Sequence, residues 1–424
     1  MLLNVVNKRA GEPQKLIVLL TIIIGAKKME LTYNGKKSKK EILGILPTSY
    51  FSKPISEKEN ILINGDNLEA LRILVHNSNL KGKIDLIYID PPFATNGTFT
   101  ISEERTSTIS SSKKDEIAYT DNLLGEEFLE FLRERLILAR ELLSECGSIY
   151  LHIDYKIGHY VKIMMDEIFG TKNFRNDITR IKCNPKNFSR KAYGNIKDLI
   201  LFYSKTSNPI WNEPFIPFSD EDKTRLYKKI DEQGKFYTTV PLHAPGETKD
   251  GVTGGTFRGM LPPKGRHWRT SPAELEKLDE QGLIEWSKNG VPRRKIFADE
   301  QKGKKLQDIW DFKDYQYPVY PTEKNLDLLK LIVQTSSNPE SLVMDFFCGS
   351  GTTLIAAQEL GRNWIGIDKS EKAIEVTRKK LNEENAALFK TDFEFVTILE
   401  KQEQNSHNEN ILVMQKTPKV LVTA

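Results

Sequence analysis

Two short clusters in this chain hold residues able to do chemistry. The first is IDLIYIDPPFATNG, Ile84 to Gly97, where an apolar run delivers Asp90, Pro91, Pro92 and Phe93 to one spot before polar loop. Proline stops a ladder and aspartate tolerates turns, so the same residues also make an ordinary strand end. The second is SLVMDFFCGSG, a strand ending at Asp345 followed by a G-x-G turn at Gly349 and Gly351. A helix and a further strand ending at Asp368 come next. Strand, glycine turn, helix and strand within ~30 residues form a nucleotide-binding unit. Glycine lets backbone approach a ligand closely, and an acid at the end of the second strand can accept from both ribose hydroxyls. The dinucleotide fingerprint needs a third glycine, and Leu354 stands in its place. The loop therefore suits a nucleoside ligand without a diphosphate. S-adenosylmethionine is such a ligand.

The elements that must position these clusters alternate. ILINGD and KIDLIYID have the character of strands and NLEALRILVHN of a helix; EEFLEFLRERLILARELLSECG predicts an amphipathic helix stopped by Gly147; GSIYLHID is another strand. The rhythm returns from Leu326, with LDLLKLIVQTSS and TTLIAAQELG as helices, NWIGID as a strand and a helix opening at Ser370. Such alternation implies a parallel sheet covered by helices on both faces. Between about Arg180 and Tyr320 the pattern becomes irregular and rich in turn signals, apart from a strand-like DLILFYSK. That stretch has the character of an inserted domain. The tail after Asn382 is polar and suits a solvated extension with a strand at KVLVTA.

Length and composition bound the rest. The 424 residues, 39% hydrophobic and 28% charged, suffice for one large or two medium globular domains. A net charge of +4 is compatible with a polyanionic partner without arguing for one. Cys146, Cys183 and Cys348 lie too far apart in sequence for a zinc set or a disulfide framework, and they fit a reducing cytoplasm. The histidines show no metal-binding spacing, so no metal site is expected. The apolar run Leu16–Ala26 resembles a leader but is shorter than the ~20 residues that span a bilayer. Lys27 and Lys28 follow it at once, and Met29 opens an ordinary amino terminus. Residues 1–28 are accordingly expected to be a non-native extension, and the protein cytoplasmic.

Taken together, the clusters make the chain similar to the β group of S-adenosylmethionine-dependent DNA amino-methyltransferases. Asp90, Pro91, Pro92 and Phe93 match the catalytic motif of that group, and Asp345, Phe347, Gly349 and Gly351 its cofactor motif. YPTEK, Tyr320 to Lys324, resembles the motif that begins the helix before the cofactor strand, although the family usually has P-T-Q-K-P there. Gly65 and Asp66 resemble a short motif whose acid faces the cofactor adenine. The order, catalytic motif first and cofactor motif last, is that of the β group, and the resemblance is to the modification subunits of restriction–modification systems above all.

The resemblance implies a Rossmann-like α/β methyltransferase fold, circularly permuted, with an inserted target-recognition region. Its parts would be a catalytic half at 29–180, the recognition region at 181–320, a cofactor half at 321–385 and a tail at 386–424. It also implies cofactor contacts at Asp66, Thr322, Lys324, Asp345, Phe347, Gly349, Ser350, Gly351, Thr352 and Asp368. An exocyclic amine is a poor nucleophile because its lone pair is delocalised into the ring. Acceptors on its hydrogens, the Asp90 carboxylate and the Pro91 carbonyl, would free that lone pair. Pro92 would stiffen the turn, and Phe93 would stack on a base turned out of its helix. Positioning the amine in line with the donor methyl supplies much of the rate.

The expected partner is double-stranded DNA, with a restriction subunit and a second copy of the chain as further candidates and no membrane. Arg258, Lys264, Arg266, Arg269, Arg293, Arg294 and Lys295, interleaved with Phe257, Trp268 and Trp286, suit phosphate contact and stacking. Acids such as Glu274, Glu276 and Asp279 leave an ordinary solvated surface equally open. The resemblance also implies that Asp at position 90 favours adenine N6, since the cytosine enzymes of the family more often start the motif with Ser. Cytosine N4, an RNA adenosine or a non-catalytic DNA-binding subunit are the alternatives. Asp154 fits a pocket wall or a turn, and Tyr203 fits the core better than a pocket.

Overall fold

The computed structural model describes residues 30–55, 59–92, 98–101, 106–107, 116–120, 125–185, 191–248, 251–316, 318, 323–387 and 392–401. Phe93, Tyr320, Thr322, the run Leu16–Ala26 and the KVLVTA tail lie outside them. The chain divides into two compact units, one of Met1–Asn212 with Asp308–Ala424 and one of Glu213–Gln307. The second unit falls inside the 181–320 stretch expected to recognise a target, and residues 181–212 belong to the larger unit.

Ten strands form the large unit's sheet: β1 (Ser49–Phe51), β2 (Asn60–Asn64), β3 (Ile84–Ile89), β4 (Leu143–Ile153), β5 (Phe174–Ile181), β6 (Lys197–Ser204), β7 (Ile309–Asp311), β8 (Leu342–Asp345), β9 (Asn363–Asp368) and β10 (Phe393–Glu400). Their spatial order is β1-β10-β2-β9-β8-β3-β4-β6-β5-β7. From β10 to β4 every neighbour is parallel. β6 runs antiparallel to both β4 and β5. Ile61, Leu62 and Ile63 are all buried, as are all four residues of β8. Side chains alternate between faces, so this pattern means that both faces are covered.

The covering helices are α1 (Lys39–Gly44), α2 (Asn67–Asn77), α3 (Gly125–Leu142), α4 (Gly158–Phe169), α5 (Leu326–Ser336), α6 (Thr352–Glu359) and α7 (Glu371–Ala387). α1, α2 and α4 each touch α3, while α6 touches both α5 and α7. Among the described residues no helix is long and apolar enough to cross a membrane.

Two expectations need correction. Helix α3 ends at Leu142, five residues before Gly147, and the chain enters β4 directly. There the Ser144 hydroxyl donates to Asp85 (2.7 Å), and the β3–β4 register shifts between Ile84 and Leu86. A Cβ on Gly147 would lie 2.8 Å from the Ile84 carbonyl oxygen, so this glycine permits a close backbone approach within a bulged strand. The tail after Asn382, in turn, holds an ordered strand. β10 pairs in parallel with β2 and antiparallel with β1, and Val396 is fully buried.

The second unit carries a four-stranded antiparallel sheet, ordered Lys229–Ile230, Phe236–Pro241, Pro292–Phe297, Ile284–Trp286. Its core gathers Leu242, Phe257, Trp268, Leu275, Leu278 and Ile284.

Candidate active site

β2, β9, β8 and β3 are consecutive parallel neighbours, so their carboxyl ends lie along one edge. Asp66 follows β2, Asp368 ends β9, Asp345 ends β8 and Asp90 follows β3. Ligands of open α/β sheets bind at that edge. Catalytic and cofactor motifs some 250 residues apart in sequence thus become neighbours, with Leu86 opposite Val343 and Ile87 opposite Met344.

The glycine turn is built to approach a ligand. Gly349 and Gly351 have φ of 49° and 77°, the left-handed region that side chains resist. A Cβ on Gly351 would stand 2.6 Å from Thr377 Cγ2. The Thr377 hydroxyl donates to the Gly349 carbonyl (2.9 Å), tying the turn to α7. Leu354, where a dinucleotide loop would carry its third glycine, is fully buried and faces Gly366 of β9. A Cβ on Gly366 would lie 2.4 Å from Leu354. Close helix–strand packing is therefore kept, with the glycine moved from helix to strand.

Three acids are set differently. The Asp368 carboxylate accepts from the amides of Gly349 and Ser370 (2.9 Å each); burial raises its pKa, and those two bonds oppose the rise. Burial pushes Asp345 up to about 7, against the opposing donors Thr353 (2.6 Å) and the Phe347 amide (3.0 Å). Asp90 pairs through Oδ2 with the Lys324 ammonium. Its Oδ1 is buried and has no hydrogen-bond partner among the described residues.

Behind Asp90 lies a polar chain that the sequence reading missed. Residue alternation places Tyr88, His152, Asp198 and Arg180 on one face of β3, β4, β6 and β5. His152 is fully buried; its Nδ1 lies 2.9 Å from the Tyr88 hydroxyl and 4.0 Å from Asp90 Oδ1, and its Nε2 3.3 Å from Asp198 Oδ2. Lys182 donates to Asp198 at 2.7 Å, and Arg180 stands 3.8 Å away. Burial lowers the His152 pKa, opposed by the carboxylates of Asp198 and Asp90. Burial alone would raise Asp198, yet the bond from His152 and the Lys182 charge hold it below the usual carboxylate range. The available signal was a histidine within the apolar IYLHI and an acid opening LILFY.

Other expected residues have visible structural work. Asp66 caps α2, accepting from the amides of Leu68 and Glu69, and lies 3.7 Å from Arg135. Ser350 and Thr352 are buried, 3.3 Å apart through their hydroxyls. The Phe347 ring packs on Phe131 and Phe346. Asn325 caps α5, and Glu323 pairs with Lys380. The Asp154 carboxylate accepts from the Lys156 amide, as a turn residue does, and Tyr203 is core with its hydroxyl on Asp166.

In the second unit, Phe257 and Trp268 are core, which removes them as stacking platforms; Trp286 is partly exposed. Arg258, Lys264, Arg266, Arg269 and Arg294 are exposed. Arg258 is ion-paired with Asp279, and Arg266 and Arg269 make one bond each, to His243 and to the Pro241 carbonyl. Arg293 gives two bonds to Thr239, and Lys295 sits over the Tyr237 ring. Strand alternation puts Arg293 and Lys295 on one face and Arg294 on the other.

A family described as DNA methylase matches residues 84–379, from β3 into α7. The chain belongs to the DNA methylase family. The type II methyltransferase M.EcaI of Enterobacter cloacae is 43% identical over 371 residues, covering 84% of this chain and 78% of that protein. The Mod subunit of the type III restriction-modification enzyme StyLTI of Salmonella typhimurium is 31% identical over 340 residues, covering 71% of this chain. The chain spans half the length of that subunit. The type II methyltransferase M.KpnI of Klebsiella pneumoniae is 27% identical over 352 residues, covering 72% of this chain and 78% of that protein.

The methyl donor of a DNA methylase is S-adenosylmethionine, and this edge fits it. The left-handed glycines at 349 and 351 leave backbone open to a ligand on either side of the buried Ser350, and Asp368 lies beside that turn, its carboxylate an acceptor for hydroxyls as well as for backbone amides.

Proposed function

We propose that this DNA methyltransferase modifies the N6 amine of adenine and serves as the modification enzyme of a restriction–modification system. The observation that carries the reading is Asp90. It stands at the carboxyl end of β3, beside the Asp345 strand, with one oxygen on Lys324 and the other without a donor among the described residues. A carboxylate so placed can accept from an amine hydrogen and concentrate the nitrogen lone pair toward an electrophile. Pro91, buried, offers its carbonyl as the second acceptor. Bound at the Gly349–Gly351 turn, the sulfonium donor supplies an electrophilic methyl. The chain's own part is to hold amine and methyl in line, which is worth much of the barrier.

Asp rather than Ser at position 90 supports adenine over cytosine. The names of the relatives, Mod subunits among them, support a restriction–modification setting and a separate restriction subunit as partner. A cytoplasmic location follows from that setting. The exposed arginines of the second unit support its role in contacting DNA.

The test is mass spectrometry of nucleosides from DNA incubated with protein and S-adenosylmethionine. N6-methyladenine is expected, with loss of product by orders of magnitude in Asp90→Ala while cofactor binding persists. N4-methylcytosine as the product would overturn the base assignment. Parental rates in Asp90→Ala would overturn the catalytic one.

A further inference from the structure

We propose that His152 is a positioning residue for Asp90, held by Asp198 in the tautomer that directs no proton toward the catalytic carboxylate. The inference rests on Asp90 being the acceptor for the target amine. The geometry carries it. An ionised carboxylate can only accept, so Asp198 fixes the imidazole proton on Nε2, 3.3 Å away. Nδ1 is then an acceptor, and the Tyr88 hydroxyl 2.9 Å away donates to it. Asp90 Oδ1 lies 4.0 Å from the same nitrogen, too far for a hydrogen bond and unpartnered among the described residues.

The arrangement keeps Asp90 a strong acceptor. Each hydrogen bond a carboxylate takes from the protein stabilises its charge and weakens the bond it can take from a substrate. A proton on Nδ1 would convert the 4.0 Å gap into a charge-assisted bond after a small ring shift. Asp90 would then be drained from behind, whichever oxygen faces the amine.

Among the described residues, the charged and titratable groups that face the ring include Tyr88 and Asp90 from β3 and its end, Asp198 from β6 and Lys324 before α5. Lys182, after β5, and Arg180 of β5 act through Asp198. Lys324 disfavours a second cation here, while the two carboxylates invite one. Methyl transfer should therefore fade on acidification as His152 takes its second proton.

The test is single-turnover methyl transfer against pH, with imidazole 15N NMR on the same proteins and the His152 signal assigned by its loss in His152→Phe. In the parent, the Nε2–H tautomer should hold at neutral pH, and its titration should coincide with the acid limb of the rate. In Asp198→Asn the Lys182 ammonium keeps the amide oxygen at the Oδ1 position, so the amide NH2 faces Nε2, which moves the proton to Nδ1. The rate should fall at least tenfold, with cofactor and duplex affinities within about twofold of parental values. Because that variant leaves Lys182 and Arg180 less compensated, Tyr88→Phe provides a gentler arm. It removes the donor to Nδ1, so the acid limb should move to higher pH. An unmoved acid limb in Tyr88→Phe, or a flipped tautomer with a parental rate, overturns the proposal. Asp90→Ala separates the failures. Parental activity there overturns the Asp90 reading itself, whereas an inactive Asp90→Ala beside a parental Asp198→Asn overturns only the role of His152.

Discussion

Replacing Gly351 by alanine tests the cradle, because its cost has two separable parts. The backbone part comes from φ of 77°, where a side chain costs roughly 1–2 kcal/mol. The packing part comes from a Cβ that would stand 2.6 Å from Thr377 Cγ2 and 2.9 Å from its hydroxyl. Thr377 is fully buried, so it cannot swing into solvent, and overpacking of this kind costs about 1–3 kcal/mol. Gly351→Ala should lose about 2–5 kcal/mol in urea unfolding, and calorimetry should show weaker cofactor binding. Thr377→Ser removes the clashing methyl and keeps the hydroxyl that reaches the Gly349 carbonyl. The double variant should recover only part of the packing cost, because the retained hydroxyl still stands 2.9 Å from the new Cβ, and none of the backbone part. A Gly351→Ala protein within 0.5 kcal/mol of its parent, the scale of ordinary surface substitutions, would refute both halves of the reasoning.

The other outcomes are simpler to state. Asp345 has a folded pKa of about 7 against about 3.8 unfolded, so it favours folding when protonated, and that stability is lost as pH rises from 4 to 7. Over that window Asp345→Asn, which keeps an oxygen for the Phe347 amide, should lose about 4 kcal/mol less than the parent; identical slopes in pH-dependent unfolding would count against a buried neutral acid. Arg294→Ala should lower the log–log salt slope of duplex binding by about one unit, and an unchanged slope would return Arg294 to ordinary surface. Arg293→Ala, which breaks two bonds to Thr239, should instead lower the melting temperature; unchanged melting would make those bonds inconsequential.

What the sequence disclosed is what short-range pattern controls. Apolar alternation and the G-x-G turn were enough to mark β3, β8, β9 and α6, because each is fixed by residues within a few positions of one another. Long-range pairing is not written that way. Phe393–Glu400, FEFVTILE, is rich in aromatic and β-branched residues, but nothing local names its partners, Asn60–Asn64 and Ser49–Phe51, more than 300 residues earlier. The α3 helix pattern ran through LLSECG because the competing interaction, the approach of Gly147 to the Ile84 carbonyl, comes from another strand. Basic residues in the second unit were visible as composition. That Arg293 is bound to its neighbour strand and Phe257 buried could come only from the fold. The His152 chain was hidden for the same reason, since Tyr88, Asp198, Arg180 and Lys182 meet it only through sheet register.

The edge that gathers these parts is acidic, and its acids are kept apart by different means. Asp368 spends its charge on two backbone amides, Asp345 leans toward its neutral form, and Asp90 shares an oxygen with Lys324. Burial of like charges along adjacent strand ends is costly unless each is compensated, and three separate compensations prevent that cost from falling on one residue. The same field favours a positively charged ligand group over a neutral one of the same shape. A sulfonium donor carries that charge, and the thioether left after methyl transfer does not. The arrangement therefore attracts the donor more than the spent product. Electrostatics of the strand ends and chemistry of the reaction point the same way.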